Sequence, residues 1–249
     1  MTERLYHLAA APFEAARRVD VLHPGHRAAR LHGHSFLARV RAQLPEDWAA
    51  FPGGETDALT AALQDCVGPL DYRSLNDIPG LENPTSERLS AWLWGRLKPA
   101  LPELSWVTVY ETSTAGCHYD GAHYRIWKES KFESALKLVR APAGDPRRRL
   151  HGHSYLVRLH LTAPLDTVLG WTVDYGDVKE LFKPVYQALD HHTLNDLPGL
   201  TDTGPGSVVR WVRAQVAPVL PPLDRVDLYA TPGCGAMLVW GENGPALPT

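Results

Sequence analysis

The sequence states one pattern twice, 119 positions apart. Arg30-Leu31-His32-Gly33-His34-Ser35-Phe36 returns as Arg149-Leu150-His151-Gly152-His153-Ser154-Tyr155. Phe13-Glu14 returns as Phe132-Glu133, and Leu75-Asn76-Asp77 as Leu194-Asn195-Asp196. Pro79-Gly80-Leu81, Trp92 and Tyr110 return as Pro198-Gly199-Leu200, Trp211 and Tyr229. A constant offset means a tandem duplication with no net insertion across these landmarks, and a period this long is a domain rather than a solenoid repeat. Two units are expected, residues 1–126 and 127–249. Residues on which the copies agree serve a shared fold or shared chemistry, and residues on which they differ mark a division of labour.

Each copy reads as β-β-α-α-β-β. Strand-like runs are expected over 4–20 and 126–139, then from each His-Gly-His through Phe36, Ala38 and Val40 or Tyr155, Val157 and Leu159. Residues two apart share a strand face, so the histidines lie with these apolar residues. Helices are expected over 55–67 and 174–189, then from Thr85-Ser86 and over 207–219. The Thr85-Ser86 start is a capping signal, and Leu89, Trp92, Leu93 and Leu97 follow at helical spacing. Closing strands are expected over 104–111, 118–126, 224–230 and 236–240. Hairpins around two helices indicate an antiparallel α+β domain.

Bulk composition excludes several classes. A net charge of −3 offers no global basic field to nucleic acid. No apolar run approaches the roughly 20 residues that span a bilayer, and the N-terminus lacks signal-peptide order. Cys66, Cys117 and Cys234 are odd in number and do not align between copies, which fits a reducing, cytoplasmic setting without disulfides.

His32 and His34 point the same way from one strand, as do His151 and His153, a geometry suited to two ligands of one zinc ion; a structural hydrogen-bond network is the alternative. The ordered motifs resemble the 6-pyruvoyl-tetrahydropterin synthase family, including 6-carboxytetrahydropterin synthase. They are Phe-x-Ala-Ala near the start, His-Gly-His on the next strand, Leu-Asp-His-x-x-Leu-Asn, Pro-Thr-Ser-Glu and Tyr-Glu-Thr. The resemblance covers nearly the whole chain. It implies the tunnelling fold, with ββααββ units whose antiparallel sheets close into a barrel on oligomerisation, here as a homo-oligomer of two-unit chains (dimer or trimer). It also implies a small pterin-like substrate, zinc held by histidines, a cysteine base and an Asp-His pair.

Carried over residue by residue, the resemblance is uneven. His32, His34, His151 and His153 match zinc ligands. The remaining zinc histidine falls at Arg17 and at Leu136, and the cysteine at Ala28 and Arg147. The pterin-anchoring glutamate is present as Glu111 and replaced by Ala230. The Asp-His pair is present as Asp190-His191 and replaced by Asp71-Tyr72. Pro84-Thr85-Ser86-Glu87 is answered by Gly204-Pro205-Gly206-Ser207. The Gly-x-x-x-Asp-aromatic segment is intact only as Gly170–Tyr175. The first copy thus keeps substrate-gripping residues, Glu111, Thr85 and Glu87, and the second keeps proton-handling residues, Asp190 and His191. The expectation is a divergent pterin-processing lyase whose site draws on both copies. Its substrate is expected to resemble dihydroneopterin triphosphate. The alternative is a non-catalytic pterin- or purine-binding protein. Metal could be completed by His23, His26, His191 or His192, or Arg17 could replace the metal's charge and hold an anionic substrate group.

Overall fold

The computed structural model describes residues 3–45, 47–200 and 202–241. The chain divides into two compact units, residues 1–126 with 163–172, and residues 127–162 with 173–249. The short segment 163–172, which follows the second His-Gly-His strand, therefore belongs with the first unit.

Unit 1 consists of β1 (His7–Arg17), β2 (His32–Ala42), α1 (Glu55–Val67), β3 (Arg73–Ser74), α2 (Ser86–Leu97), β4 (Leu104–Thr112) and β5 (Ala115–Tyr119). The strands lie in the order β3-β1-β2-β4-β5. All pairs are antiparallel except the two-residue β3, which runs parallel to β1. Strand β1 buries Ala9, Ala11, Phe13, Ala15 and Arg17 in strict alternation, the period-two pattern of a half-covered sheet. Both helices cover that face. Helix α1 buries Leu59, Leu63 and Val67, and α2 buries Leu89, Leu93 and Leu97, each a stripe four residues apart. Thr85 caps α2 by accepting the Arg88 N–H, as the capping signal requires.

Unit 2 repeats the plan with β6 (Tyr124–Leu136), which enters this unit at Trp127, then β7 (His151–Ala163), α3 (Tyr175–Leu189), β8 (His192–Thr193), α4 (Pro205–Val216), β9 (Leu223–Thr231) and β10 (Cys234–Val239). Its order is β10-β9-β7-β6, with β8 parallel to β6. Asp174 caps α3 through the Gly176 and Asp177 N–H groups. The expected α+β class and β-β-α-α-β-β order are present in both units.

Three local features depart from expectation. The 118–126 strand is interrupted, because Asp120 Oδ1 accepts from both Ala122 N and His123 N and Gly121 takes a φ of 95°. Chain reversal there ends β5 early and gives Tyr124 to β6. Helix α4 starts at Pro205 rather than Ser207, since proline's fixed φ suits the first helical position. The two-residue strands β3 and β8 are too short to show a period. The repeated tryptophans act as hooks: Trp92 Nε1 donates to Pro79 O at 3.1 Å and Trp211 Nε1 to Pro198 O at 2.9 Å. Each hook closes a turn whose glycine, Gly80 or Gly199, has positive φ. No described helix is long and apolar enough to cross a membrane.

After α1 and after α3 the chain turns through one left-handed, non-glycine residue, Tyr72 (φ 53°) and His191 (φ 59°). Their N–H groups donate to Glu14 O and Glu133 O, each at 2.6 Å, and those bonds hold the unusual conformation. Asparagine tolerates it and a β-branched residue does not. Tyr72→Asn is expected to leave the unfolding free energy within about 0.5 kcal/mol, whereas Tyr72→Val lowers it by about 1–2 kcal/mol. Urea unfolding of the two variants checks this; equal stabilities would show that the conformation is not held.

Candidate functional site

The β1–β2 register sets the first unit's chemistry. Arg17 pairs across the ladder with His32, and Ala15 with His34. His32 Nδ1 lies 2.6 Å from Arg30 O and His151 Nδ1 lies 2.8 Å from Arg149 O. A carbonyl only accepts, so Nδ1 carries a proton in both rings, and in the neutral ring the lone pair is on Nε2. His34 is pushed down to a pKa of about 4, chiefly by burial, and its imidazole is neutral at physiological pH.

Arg17 and Glu111 form the central ion pair of unit 1. Arg17 Nη2 lies 2.6 Å from Glu111 Oε2, with side-chain exposures of 7% and 12%. Arg17 Nη1 donates to Pro84 O at 2.7 Å. His34 Nε2 approaches Glu111 Oε1 at 3.5 Å, but this is a charge-scale approach rather than a hydrogen bond, and Nε2 has no hydrogen-bond partner. Ser86 Oγ lies between two carboxylates, 3.5 Å from Glu111 Oε2 and 3.4 Å from Glu87 Oε2.

Thr85 and Glu87 are placed beside this pair, and both are engaged by the 163–172 segment of the same unit. Thr85 Oγ1 donates to Gly170 O, and Arg88 Nη2 donates to Thr167 O at 2.8 Å. Glu87 Oε1 accepts from Thr172 N at 2.8 Å and from Thr172 Oγ1 at 3.1 Å. Glu87 is 2% exposed. Burial raises its pKa to about 7 against the opposing pull of the Thr172 donors. Cys117 lies in the same interior. Its thiol is pushed up, chiefly by burial and further by Glu87, which removes it as a replacement thiolate nucleophile.

In unit 2, Asp190 Oδ1 accepts the Glu133 N–H at 3.0 Å and Oδ2 lies 3.0 Å from His191 Nδ1. Asp190 is held below the usual carboxylate range, first by the Glu133 N–H. The carboxylate thus fixes an imidazole that is 77% exposed. Asp71 makes the same bond to Glu14 N at 2.8 Å, but its neighbour Tyr72 offers no base. Each unit has an open cleft at this point, of about 620 Å³ in unit 1 and about 440 Å³ in unit 2. Glu14, His34, Ser35 and Tyr72 line the first; Glu133, His153, Ser154, His191 and His192 line the second. Ser35 Oγ donates to Glu14 Oε2 at 2.7 Å and Ser154 Oγ to Glu133 Oε2 at 2.5 Å. Sequence reasoning passed over Glu14, Glu133 and the two serines, although all four recur at the repeat offset. Pro84 and Thr172 lie within motifs that the sequence offers, but nothing in those motifs marks their contacts with Arg17 and Glu87.

A zinc site usually takes three protein ligands, and among the described residues neither unit brings a third to its two histidines. Among the described residues no group of three or more His, Cys, Asp or Glu side chains is arranged to hold a metal ion. The place opposite His32 holds Arg17, and its counterpart at the repeat offset is the buried Leu136. His26 is occupied as the cap of a short 3-10 turn, accepting the Ala28 N–H. His192 Nδ1 faces Asp190 O at 2.7 Å.

With that geometry in place, sequence comparison identifies the class. The chain matches 6-pyruvoyl tetrahydropterin synthase twice, over residues 9–122 and 125–239. The chain therefore belongs to the 6-pyruvoyl tetrahydropterin synthase family, with two copies in tandem. It is 40% identical over 115 residues to 6-carboxy-5,6,7,8-tetrahydropterin synthase of Synechocystis sp., covering 43% of this chain and 86% of that protein. The solved 6-pyruvoyl tetrahydropterin synthase of Caenorhabditis elegans is 18% identical with a TM-score of 0.44, covering 47% of this chain and 95% of that one. Uricase from Arthrobacter globiformis matches 100% of this chain and 98% of its own at a TM-score of 0.53 and 8% identity, a likeness of fold that extends over both copies.

Glu87 gives unit 1 a defined pH response. A carboxyl raised to about 7 in the fold holds its proton more tightly there than in the unfolded chain. Its contribution to stability is complete below the unfolded carboxyl range and is lost as pH rises through about 7. His34, lowered to about 4, acts with the opposite sign and costs stability as pH falls from about 6.5 toward 4. Glu87→Gln keeps an acceptor for Thr172 and removes the titration. Denaturant midpoints between pH 5 and 8 are expected to fall less steeply with rising pH in Glu87→Gln than in the parent. Parallel pH curves would refute a buried, protonated Glu87.

Proposed function

We propose that the chain is a divergent pterin-processing carbon–oxygen or carbon–carbon lyase resembling 6-carboxytetrahydropterin synthase, with a dihydroneopterin triphosphate-like substrate. The observation that carries this reading is the Glu111 carboxylate, nearly buried, ion-paired to Arg17 and set beside the start of α2. A carboxylate placed in this way can accept two parallel hydrogen bonds from the 2-amino and N3–H edge of a pterin, a geometrically selective contact. The 40% identity to a curated 6-carboxytetrahydropterin synthase supports the same reading.

In this reading the first copy supplies recognition and the second supplies proton transfer. Asp190, itself fixed by the Glu133 N–H, orients His191 and strengthens it as a base. His191 takes a proton from the side-chain carbon next to the one that bears the triphosphate; the C–H electron pair forms a carbon–carbon double bond as the C–O bond breaks and triphosphate leaves as the anion. These roles belong to the chain's own side chains; among the described residues no third ligand completes a zinc site.

A second reading, a pterin- or purine-binding protein without turnover, is favoured by Arg17 standing where a third metal ligand would close the site. Calorimetric titration with a pterin, together with product analysis on dihydroneopterin triphosphate, separates the two. Glu111→Gln is expected to weaken pterin binding about tenfold or more. His191→Ala is expected to leave binding intact and slow turnover by about 100-fold or more. Tight binding with no product from the parent chain would establish the second reading, and unchanged binding and turnover in both variants would end the first.

A further inference from the structure

We infer that the Arg17 guanidinium is the resident cation of unit 1, standing in the place where a third imidazole would close a metal site on His32 and His34, so that this site works by hydrogen bonding and excludes divalent metal. The argument begins with register. Arg17 lies directly across the ladder from His32, and His34 is two residues farther along the same face. Directly opposed side chains have Cβ atoms about 4.5–5.5 Å apart. The His32 and His34 rings already lie 5.1 Å apart. Position 17 is thus the point from which a third ligand would meet the other two.

A guanidinium cannot serve as that ligand, since it has five N–H donors and no lone pair to give. It is also fixed. One Nη is bound to Glu111 and the other to Pro84 O, so it cannot swing aside for an incoming metal without leaving a nearly buried carboxylate unpaired, which is strongly unfavourable. A divalent ion on the two histidines would then face a positive charge at close range. Arg17 Nε and His34 Nε2 remain buried without hydrogen-bond partners, two polar atoms left for a ligand that binds by hydrogen bonds.

The second copy supports treating the pair as one device. At the repeat offset, Arg17 becomes Leu136 and Glu111 becomes Ala230. Cation and carboxylate are absent together from the second copy, as expected where either alone would be stranded.

The test reads metal, not turnover, and so stands apart from the lyase reading. The full-length chain carrying His151→Ala and His153→Ala, to silence the second motif, is incubated with zinc, desalted and analysed for metal per chain. The same chain with Arg17→His is treated identically, and cobalt(II) is added to both. With Arg17 present, zinc should not exceed that of a further His32→Ala/His34→Ala control. With Arg17→His, close to one equivalent should be retained, and cobalt(II) should give the intense visible absorption of a tetrahedral site. Zinc held by the Arg17 chain and lost with His32 and His34 would overturn the inference. A folded Arg17→His chain that takes no metal would overturn it too. Should Arg17→His fail to fold, the Arg17 chain and its control decide the matter alone, retention overturning the inference and its absence supporting it.

Discussion

The antiparallel register of β1 on β2, unbroken from His7 opposite Ala42 to Arg17 opposite His32, is the constraint on which the first unit's chemistry depends. A shift of one residue would turn Phe13, Ala15 and Arg17 to the solvent face and bring Glu14 inward. The stacked Phe13 and Phe36 rings, 4.9 Å apart, pin the register two steps from His34. Phe132 and Tyr155 do the same in the second unit, at 4.9 Å. Repeat-conserved aromatics and repeat-conserved histidines are therefore parts of one arrangement. The apolar pair fixes the alignment, and the alignment fixes what the polar side chains can reach. The glycine between the histidines belongs to the same design. A Cβ at Gly152 would meet Ser134 O at 3.0 Å, so a larger residue there would have to displace the neighbouring backbone by a few tenths of an ångström.

The architecture was legible in the sequence because the signals that mark it are local. Thr85 announces the start of α2 by a side-chain cap, and Leu89, Leu93 and Leu97 announce its buried stripe. The site was legible in part. Side-chain alternation on a strand suffices to place His32 with His34, and one register places Arg17 against them. What spacing cannot convey is contact between distant segments. Nothing in the order of residues shows that Thr172 would donate twice to Glu87, or that Gly170 O would accept from Thr85. Thr85 and Glu87 were expected to face substrate. In the structure their polar atoms are engaged inside unit 1, and that engagement leaves Glu87 buried with a raised pKa.

The comparison of the two copies also shows how buried charge is managed after duplication. In unit 2, His160, Asp227 and Arg225 form a buried cluster. Asp227 lies 3.0 Å from His160 Nε2 and 2.7 Å from Arg225 Nε. The corresponding residues of unit 1 are Arg41, Thr108 and Trp106. There Thr108 pairs with His118 at 3.0 Å and the Arg41 guanidinium lies over the Tyr6 and Trp106 rings. Asp227 and Arg225 give way together to Thr108 and Trp106, and the aromatic surface receives Arg41 in the place of His160. Arg17 and Glu111 against Leu136 and Ala230 follow the same rule in the opposite direction. Replacing both partners of a buried pair by apolar groups is close to neutral, whereas stranding one is costly. Such positions therefore diverge in groups.

That rule bears on how a family fold can lose one kind of chemistry and keep another. A metal site needs three donors at once, and losing one leaves two histidines that still satisfy their own local bonds: Nδ1 of His32 and His151 remain tied to Arg30 O and Arg149 O. Those bonds stabilise the strand start whether or not a metal is ever held, so the His-Gly-His motif can persist after its third partner has gone. The Asp190–His191 pair is equally independent of metal. Asp190 is fixed by a backbone N–H, and His191 by a left-handed turn whose N–H is tied to Glu133 O. The Asp190–His191 geometry of the second copy thus rests on backbone contacts, whereas the Glu111 carboxylate of the first is held by the Arg17 side chain.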